Sequence, residues 1–121
     1  FTLSKALDKL GFDECWHAMK VLTYPQSQRY EMNEFWLNAF KAKDSGNGDT
    51  IDWDQLFDKR GFHSAADAPT CDFYKEIYEY YRDNKHSEYK DIKVIMTVRD
   101  ENDWYKSVLN TIWVWCYHSK C

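Results

Sequence analysis

Two side chains suited to holding a phosphate group follow the apolar run at residues 93–98. Arg99 comes directly after the run, and Ser107 lies eight residues further on, within a segment of helical periodicity. A guanidinium and a hydroxyl both donate hydrogen bonds to phosphate oxygens, and open α/β sheets bind ligands beyond the carboxyl ends of their strands. The spacing therefore indicates an anion site. Two alternatives remain open: Arg99 could pair with Asp100 or Asp103, and Ser107 could be a surface residue of the helix.

Asp67 is the residue that could do acid–base chemistry. It lies between Ala66 and the pair Ala68-Pro69, where a short strand over residues 61–66 is expected to end. Catalytic groups gather at the carboxyl ends of strands in α/β folds, and a carboxylate there can serve as a general base. The alternative is a structural aspartate that caps a helix or closes a turn.

The sequence does not predict a metal site. Its four histidines show no paired spacing, and His17, which has Trp16 before it, is interpreted as a packed or pocket-lining residue. The acidic loop at residues 44–55 resembles an EF-hand loop in composition. Neither possible register places oxygen ligands at the required positions, and Gln55 stands where a bidentate glutamate is needed. We therefore predict a solvated surface loop and no bound metal.

The elements that must position these residues follow from hydrophobic spacing. Gly11 is expected to end the first helix, and the continuous apolar run at residues 93–98 predicts a buried parallel strand. The alternation of helices and strands predicts an α/β fold, a parallel sheet with covering helices. Helices are predicted over residues 3–10, 30–43, 51–57, 73–81 and 102–115, strands over residues 61–66 and 93–98, and a charged linker over residues 82–91.

The composition limits the class of protein. The chain has 121 residues, enough for one domain, and a formal net charge of −4, which gives no basic surface for nucleic acid. No apolar stretch is long enough for a membrane span, and no signal-peptide pattern is present, so a cytoplasmic location is expected. The four cysteines lie far apart. They could form two disulfides in three connectivities, but free thiols are favoured because the apolar content suffices for a core.

Several segments, in order, resemble the P-loop sulfotransferase-like family, most closely between residues 61 and 112. The resemblance implies an α/β fold with P-loop nucleotide-hydrolase-like sulfotransferase architecture. The segments are Leu7-x-x-Leu10-Gly11-Phe12, Cys15-Trp16-His17, Asp52-Trp53-Asp54-x-Leu56, Gly61-Phe62-x-Ser64-x-x-Asp67-x-Pro69, Phe73-Tyr74-x-Glu76 and Lys93-Val94-Ile95-x-Thr97-Val98-Arg99-Asp100-x-x-x-Trp104-Tyr105-x-Ser107-Val108.

On the donor side, the resemblance implies an enzyme that uses 3′-phosphoadenosine 5′-phosphosulfate (PAPS) as the sulfuryl donor. Arg99 and Ser107 would bind the 3′-phosphate of the donor. Thr2, at the start of the first helix, would lie where main-chain N–H groups can face the 5′-phosphosulfate. The donor-binding loop of the family would come immediately before Phe1.

On the acceptor side, the resemblance implies a small molecule that carries a hydroxyl group. Asp67 falls where cytosolic sulfotransferases carry the base of a His-x-Pro element, and it would take the proton of the acceptor hydroxyl. Trp16, His17 and Phe62 would line the acceptor pocket, although aromatic residues are equally common in a core.

The resemblance also implies that residues 1–121 form a single incomplete domain, since part of the nucleotide and acceptor sites would follow Cys121. We therefore expect the full-length parent to be the enzyme, and this chain alone not to be a competent one. The alternative function is a non-catalytic calcium-binding or protein-interaction module that uses the loop at residues 44–55. The sequence does not indicate an oligomeric state.

Overall fold

The computed structural model describes residues 2–12, 14–83 and 91–114. Helices dominate this part of the chain, and two short strands form a parallel pair. The elements are α1 (Thr2–Lys9), β1 (Cys15–Trp16), α2 (Ala18–Val21), α3 (Gln26–Asp44), β2 (Ser64–Ala65), α4 (Tyr74–Asp83) and α5 (Glu101–Val108), with 3₁₀ helices at Gly48–Thr50, Trp53–Gln55, Asp58–Arg60 and Thr70–Phe73 and a π-helix at Leu109–Trp113 after α5.

Glycines in the left-handed region end the first two long helices. Gly11 follows α1 with φ +85° and Gly46 follows α3 with φ +78°, a conformation that costs glycine nothing because it has no Cβ. The predicted end of the first helix is thus confirmed. Helix α3 covers the predicted helix at residues 30–43 but begins four residues earlier, directly after Pro25, whose fixed φ and missing N–H suit a helix start.

An aromatic cluster forms the centre of the core. Trp53 is fully buried, and its ring centroid lies 5.3 Å from that of Phe73 and 5.9 Å from that of Trp36. Trp36 in turn lies 5.1 Å from Trp16, so the cluster reaches from the 3₁₀ segments through α3 to β1. Trp36 belongs to the buried face of α3, together with Met32 and Ala39. This spacing of four and three residues matches the helical period.

The strand predicted over residues 93–98 is wrong. None of residues 92–100 belongs to a helix or strand, and residues 93–100 are all exposed, Met96 with 82% of its surface. Apolar and β-branched residues favour a strand only where a neighbouring strand supplies hydrogen bonds and a packed face. No described residue pairs with this segment, so its intrinsic preference is not realised. The predicted burial fails for the same reason.

The other predicted elements are found with changed bounds. The helix predicted over residues 102–115 is confirmed through residue 114, since α5 and the π-helix run over this range; Trp115 lies outside the described residues. Helix α4 covers most of the helix predicted at residues 73–81. The predicted helix over residues 51–57 is only a 3₁₀ turn at Trp53–Gln55, and the predicted strand at residues 61–66 is the two-residue β2. Residues 84–90 of the predicted linker lie outside the described residues.

The α/β prediction holds in a reduced form. The described part of the chain is rich in helix and contains a small parallel pair of strands, whereas a larger sheet with P-loop architecture stays a prediction. Cys15 and Cys71 are free thiols, as expected, and Cys116 and Cys121 lie outside the described residues. No helix in the described ranges is both long and apolar enough to cross a membrane.

Candidate active site

The parallel pairing of β1 and β2 brings His17 and Asp67 together. Cys15 pairs with Ser64 and Trp16 with Ala65, and the N–H of Ala66 donates to the Trp16 carbonyl at 3.0 Å. In a parallel pair the two chains leave the sheet at the same edge. His17 is the first residue after β1 and Asp67 is the second residue after β2, so both lie beyond the carboxyl ends of the strands. This is the edge at which α/β folds hold ligands.

His17 is buried in a neutral form with a defined proton position. Only 3% of its surface is exposed, and its Nδ1 accepts a hydrogen bond of 3.1 Å from the N–H of Met19, which caps α2. A neutral imidazole that accepts at Nδ1 carries its proton on Nε2. Burial lowers the pKa of His17 below its ordinary value, and the nearby Asp67 carboxylate opposes this shift only in part. The protonated Nε2 lies 3.5 Å from Asp67 Oδ2.

Asp67 presents its carboxylate to solvent from a constrained backbone. Its side chain is 59% exposed, and its φ of +72° places it in the left-handed region, which residues other than glycine seldom occupy. Oδ1 accepts a 2.8 Å hydrogen bond from the N–H of Ala68, and Oδ2 faces His17 Nε2. The peptide bond between Ala68 and Pro69 is cis. Both carboxylate oxygens therefore have a fixed neighbour, while the group remains accessible.

The expected role as a turn or cap aspartate accounts for only part of this geometry. The bond from Ala68 N–H to Oδ1 is of the kind that aspartate makes in turns. It does not explain why the second oxygen faces a buried histidine that comes from another strand. The arrangement is a carboxylate that faces an imidazole at 3.5 Å, and a carboxylate in this position can accept a proton from a hydroxyl group placed beside it.

A groove with a volume of about 520 Å³ is lined by chain neighbours of this pair. Trp16 and Ala18, which flank His17 in the chain, line it, and so does Pro69, two residues after Asp67. Its size is ordinary for a small-molecule site. Of the residues predicted for the acceptor pocket, Trp16 lines the groove, His17 is not among the lining residues, and Phe62 is buried in the core instead.

The model of a known protein family matches this chain along nearly its whole length. The family model described as Sulfotransferase domain matches residues 1–120. The chain belongs to the sulfotransferase domain family. A curated relative, Ava biosynthesis cluster protein M of Aspergillus versicolor, is 33% identical over 85 residues, which cover 68% of this chain and 29% of the relative. The alignment thus spans less than a third of that protein. No solved structure matches the chain.

The residues predicted to hold the donor of this sulfotransferase domain lie around α5 and α1. Arg99 is exposed, directly before Asp100, and among the described residues it forms no ion pair. The expected alternative, a pair with Asp100, is not found, because Asp100 Oδ1 accepts hydrogen bonds from the N–H groups of Asn102 and Asp103 at 3.0 and 3.1 Å.

Ser107 and Thr2 are placed on helices, as predicted. Ser107 lies half-buried on α5, two turns from its start, and α1 begins at Thr2. The structure describes no contact that joins Arg99 and Ser107 to the pair formed by His17 and Asp67. Their common role in donor binding therefore stays a prediction.

Two features of the sulfotransferase domain were not predicted from its sequence. One is the contact between His17 and Asp67. The other is Arg29, which lines the groove from the first turns of α3. Pro25 could have indicated that α3 begins early enough to carry Arg29. Within residues 2–12, 14–83 and 91–114, no group of three His, Cys, Asp or Glu side chains could hold a metal ion.

The acidic loop at residues 44–55 satisfies its polar groups locally. Thr50 Oγ1 donates to the Asn47 carbonyl at 2.7 Å, and Asn47 Nδ2 donates to Ser45 Oγ at 3.1 Å. The Asp52 carboxylate accepts hydrogen bonds from Tyr80 and Gln55, which lower its pKa. These contacts give the loop a structural role, and they do not favour the calcium-binding alternative.

Proposed function

We propose that the protein transfers a sulfuryl group from PAPS to the hydroxyl of a small-molecule acceptor, with Asp67 as the general base. The observation that carries the proposal is the accessible carboxylate of Asp67, which lies 3.5 Å from the buried His17 beyond the carboxyl ends of the two strands. Membership of the sulfotransferase domain family supports the reaction type, and PAPS and the hydroxyl acceptor go beyond it. The alignment covers only 29% of the curated relative. The proposed enzyme is therefore the whole protein and not residues 1–121 alone.

The reaction step uses this carboxylate as the proton acceptor. The acceptor oxygen forms a bond to sulfur while the bond between sulfur and the bridging oxygen of the 5′-phosphate breaks. The electron pair of the broken bond leaves with 3′-phosphoadenosine 5′-phosphate, and the hydroxyl proton passes to Asp67. Positioning and electrostatic stabilisation would supply most of the remaining rate, by analogy with phosphoryl transfer.

His17 is the positioning residue in this proposal. Its Nδ1 is occupied by the Met19 N–H and its Nε2 carries the proton, so neither nitrogen has a lone pair to offer the acceptor. An imidazole held in this way can orient the Asp67 carboxylate, as buried supporting side chains orient catalytic groups. The base role therefore belongs to the exposed partner and the positioning role to the buried one.

The donor site is proposed at Arg99 and Ser107, with the start of α1 at Thr2 on the phosphosulfate side. Asp100 already occupies the first N–H groups of α5, so the 3′-phosphate would be held by side chains and not by that helix end. An arginine without an ion pair among the described residues is available for such contacts. The cytoplasmic location stays a prediction.

The test replaces Asp67 by asparagine in the whole protein. Asp67→Asn keeps the shape but removes the basic lone pair, so kcat should fall by roughly 100-fold or more, with PAPS affinity unchanged. Asp72→Asn, the same charge change at an exposed position nearby, is the matched control and should retain wild-type kcat. Wild-type turnover in Asp67→Asn would refute the base assignment.

A second variant separates positioning from structure. His17→Asn can still cap α2, because asparagine is a good N-cap residue, but it cannot also reach Asp67. We expect kcat to fall while the KM for the donor and the melting temperature stay close to wild type. A loss of melting temperature with unchanged kcat would mean that His17 acts only in folding.

A further inference from the structure

The groove beside Asp67 has an apolar lining with one cation in it. Trp16, Val21, Leu22, Met32 and Trp36 supply apolar surface, and Arg29 supplies a charge from the first turns of α3. Such a lining, mostly apolar with few polar groups, is typical of sites that bind small organic molecules. The polar groups in it are the ones that select the ligand.

Arg29 has no carboxylate partner among the described residues. The two other arginines for which ion pairs are found contrast with it: Arg60 lies 3.0 Å from Glu31, and Arg82 lies 2.7 Å from Asp83. The side chain of Arg29 is half-buried, and its Nε is a buried donor without an acceptor. A partly desolvated guanidinium is most stable next to an anion, and its planar fork matches a carboxylate.

Two further donors in the groove wall lack acceptors. The indole nitrogens of Trp16 and Trp36 are buried and form no hydrogen bond, and both rings are more than nine-tenths buried. Each buried donor left unpaired costs about 1–3 kcal/mol. These nitrogens expose almost no surface to the groove, so a ligand there would meet the apolar faces of the two indoles. The charged group that the lining offers to a ligand is the Arg29 guanidinium.

The start of α3 strengthens the positive character of this end of the groove. Gln26, its first residue, also lines the groove, Pro25 gives the helix no side-chain cap, and the first turn contains no acidic residue. The partial positive charge at the start of a 19-residue helix is therefore not compensated by an acidic side chain. Anions favour such positions.

We propose that the acceptor is an apolar hydroxy acid, with its carboxylate bound by Arg29 and its apolar body against Trp16 and Trp36. In this proposal its hydroxyl points toward Pro69, the lining residue that follows Asp67 by two positions in the chain. This inference rests on the proposed function, because it assigns the groove to the acceptor of the sulfuryl group. Its product is the sulfate ester of the hydroxy acid, which still carries the carboxylate.

The test compares two ligands that differ only in charge. Calorimetry on the whole protein measures the affinity of 3-(4-hydroxyphenyl)propionate and of the corresponding amide. The acid should bind more tightly than the amide, and Arg29→Gln should weaken the acid by roughly 10- to 100-fold with little effect on the amide. Arg29→Lys, which keeps the charge but loses the fork, should give an intermediate affinity for the acid. Arg60→Gln, which removes an arginine already paired with Glu31, is the control and should change neither affinity.

Equal binding of acid and amide, no binding of either, or an unchanged ratio in Arg29→Gln would overturn the proposal. The measurement needs neither donor nor turnover, so its result is independent of the Asp67→Asn experiment. If the ratio collapses in Arg29→Gln while Asp67→Asn keeps wild-type turnover, the acid site stands and the assignment of Asp67 as the general base fails. If the acid has no advantage while Asp67→Asn loses turnover, only the acceptor class is wrong.

Discussion

Replacing Trp53 by alanine should remove a large part of the stability of the fold. The indole is fully buried, stacks on Phe57 with centroids 6.2 Å apart, and packs against Phe35, Trp36 and Phe73 with centroids 5.8, 5.9 and 5.3 Å away. A buried aromatic residue removes about 150–250 Å² from water. At about 25 cal/mol per Å² this is worth roughly 4–6 kcal/mol as an upper estimate.

Measured costs of replacing a buried Phe or Trp by alanine are about 3–5 kcal/mol, because the cavity left behind collapses only in part. We therefore expect Trp53→Ala to lower the free energy of unfolding by about 4 kcal/mol. Native domains are stable by only about 5–15 kcal/mol, so the variant should be near the limit of folding.

Urea denaturation followed by far-ultraviolet circular dichroism measures this loss without relying on tryptophan fluorescence. Tyr74→Ala, which truncates a ring that is 60% exposed, is the control and should cost less than about 0.5 kcal/mol. A loss of unfolding free energy below about 1 kcal/mol in Trp53→Ala, with an unchanged slope of that free energy against urea concentration (the m value), would contradict the central place of Trp53 in the core.

Two further predictions concern the donor site and pH. In calorimetry on the whole protein, Arg99→Ala should weaken binding of 3′-phosphoadenosine 5′-phosphate by roughly 10- to 100-fold and Ser107→Ala by about 5-fold. Lys93→Ala is the control and should leave this affinity unchanged. Equal affinities for wild type and Arg99→Ala would refute the assignment. Because burial lowers the pKa of His17 below the unfolded value of 6.5, the unfolded chain takes up a proton first, so the free energy of unfolding should begin to fall as pH drops below about 6.5, by at most about 1.4 kcal/mol per pH unit. His17→Asn should lack this loss of stability, and an unchanged loss would contradict the burial of a neutral His17. A second loss, below about pH 4, should remain in the variant because carboxylates become protonated there. Asp8 is one of them, and hydrogen bonds from Lys20 and the main chain lower its pKa.

Helix periodicity could predict the part of α3 that packs on the core. Met32, Trp36 and Ala39 repeat at the helical spacing, and all three are buried. The start of α3 could not be predicted in this way, because the residues from Gln26 to Arg29 are polar and carry no hydrophobic period. For that reason the sequence did not predict that Arg29 lies on this helix and lines the groove.

The strands could be predicted less well than the helices. Strand β1 has only two residues, too few to show an alternation, so no pattern predicts it. The run at residues 93–98 has the composition of a buried strand, but composition reports only what a segment could do beside a partner strand. In the described structure β1 pairs with β2, and no described residue pairs with the run at residues 93–98.

The candidate site was predicted in its parts but not in its arrangement. Asp67 lies at the end of β2, as the spacing indicated, and His17 lies beside the groove. Their contact depends on the parallel register of two strands that are far apart in the chain, and no local pattern encodes a register between short strands. The direction of the histidine proton depends on the Met19 N–H, which only the structure places.

The conformation of Asp67 has a structural account in its turn hydrogen bond to Ala68, and the proposed base role would add a functional one. A residue other than glycine in the left-handed region carries a cost in backbone strain, and glycine at the same φ would carry none. The contact with His17 repays little of this cost, because the imidazole is neutral, the separation is 3.5 Å and the carboxylate is mostly in water. In the proposed base role, the carboxylate adds an accessible proton acceptor with a fixed direction, and backbone strain is concentrated at sites where position matters more than stability.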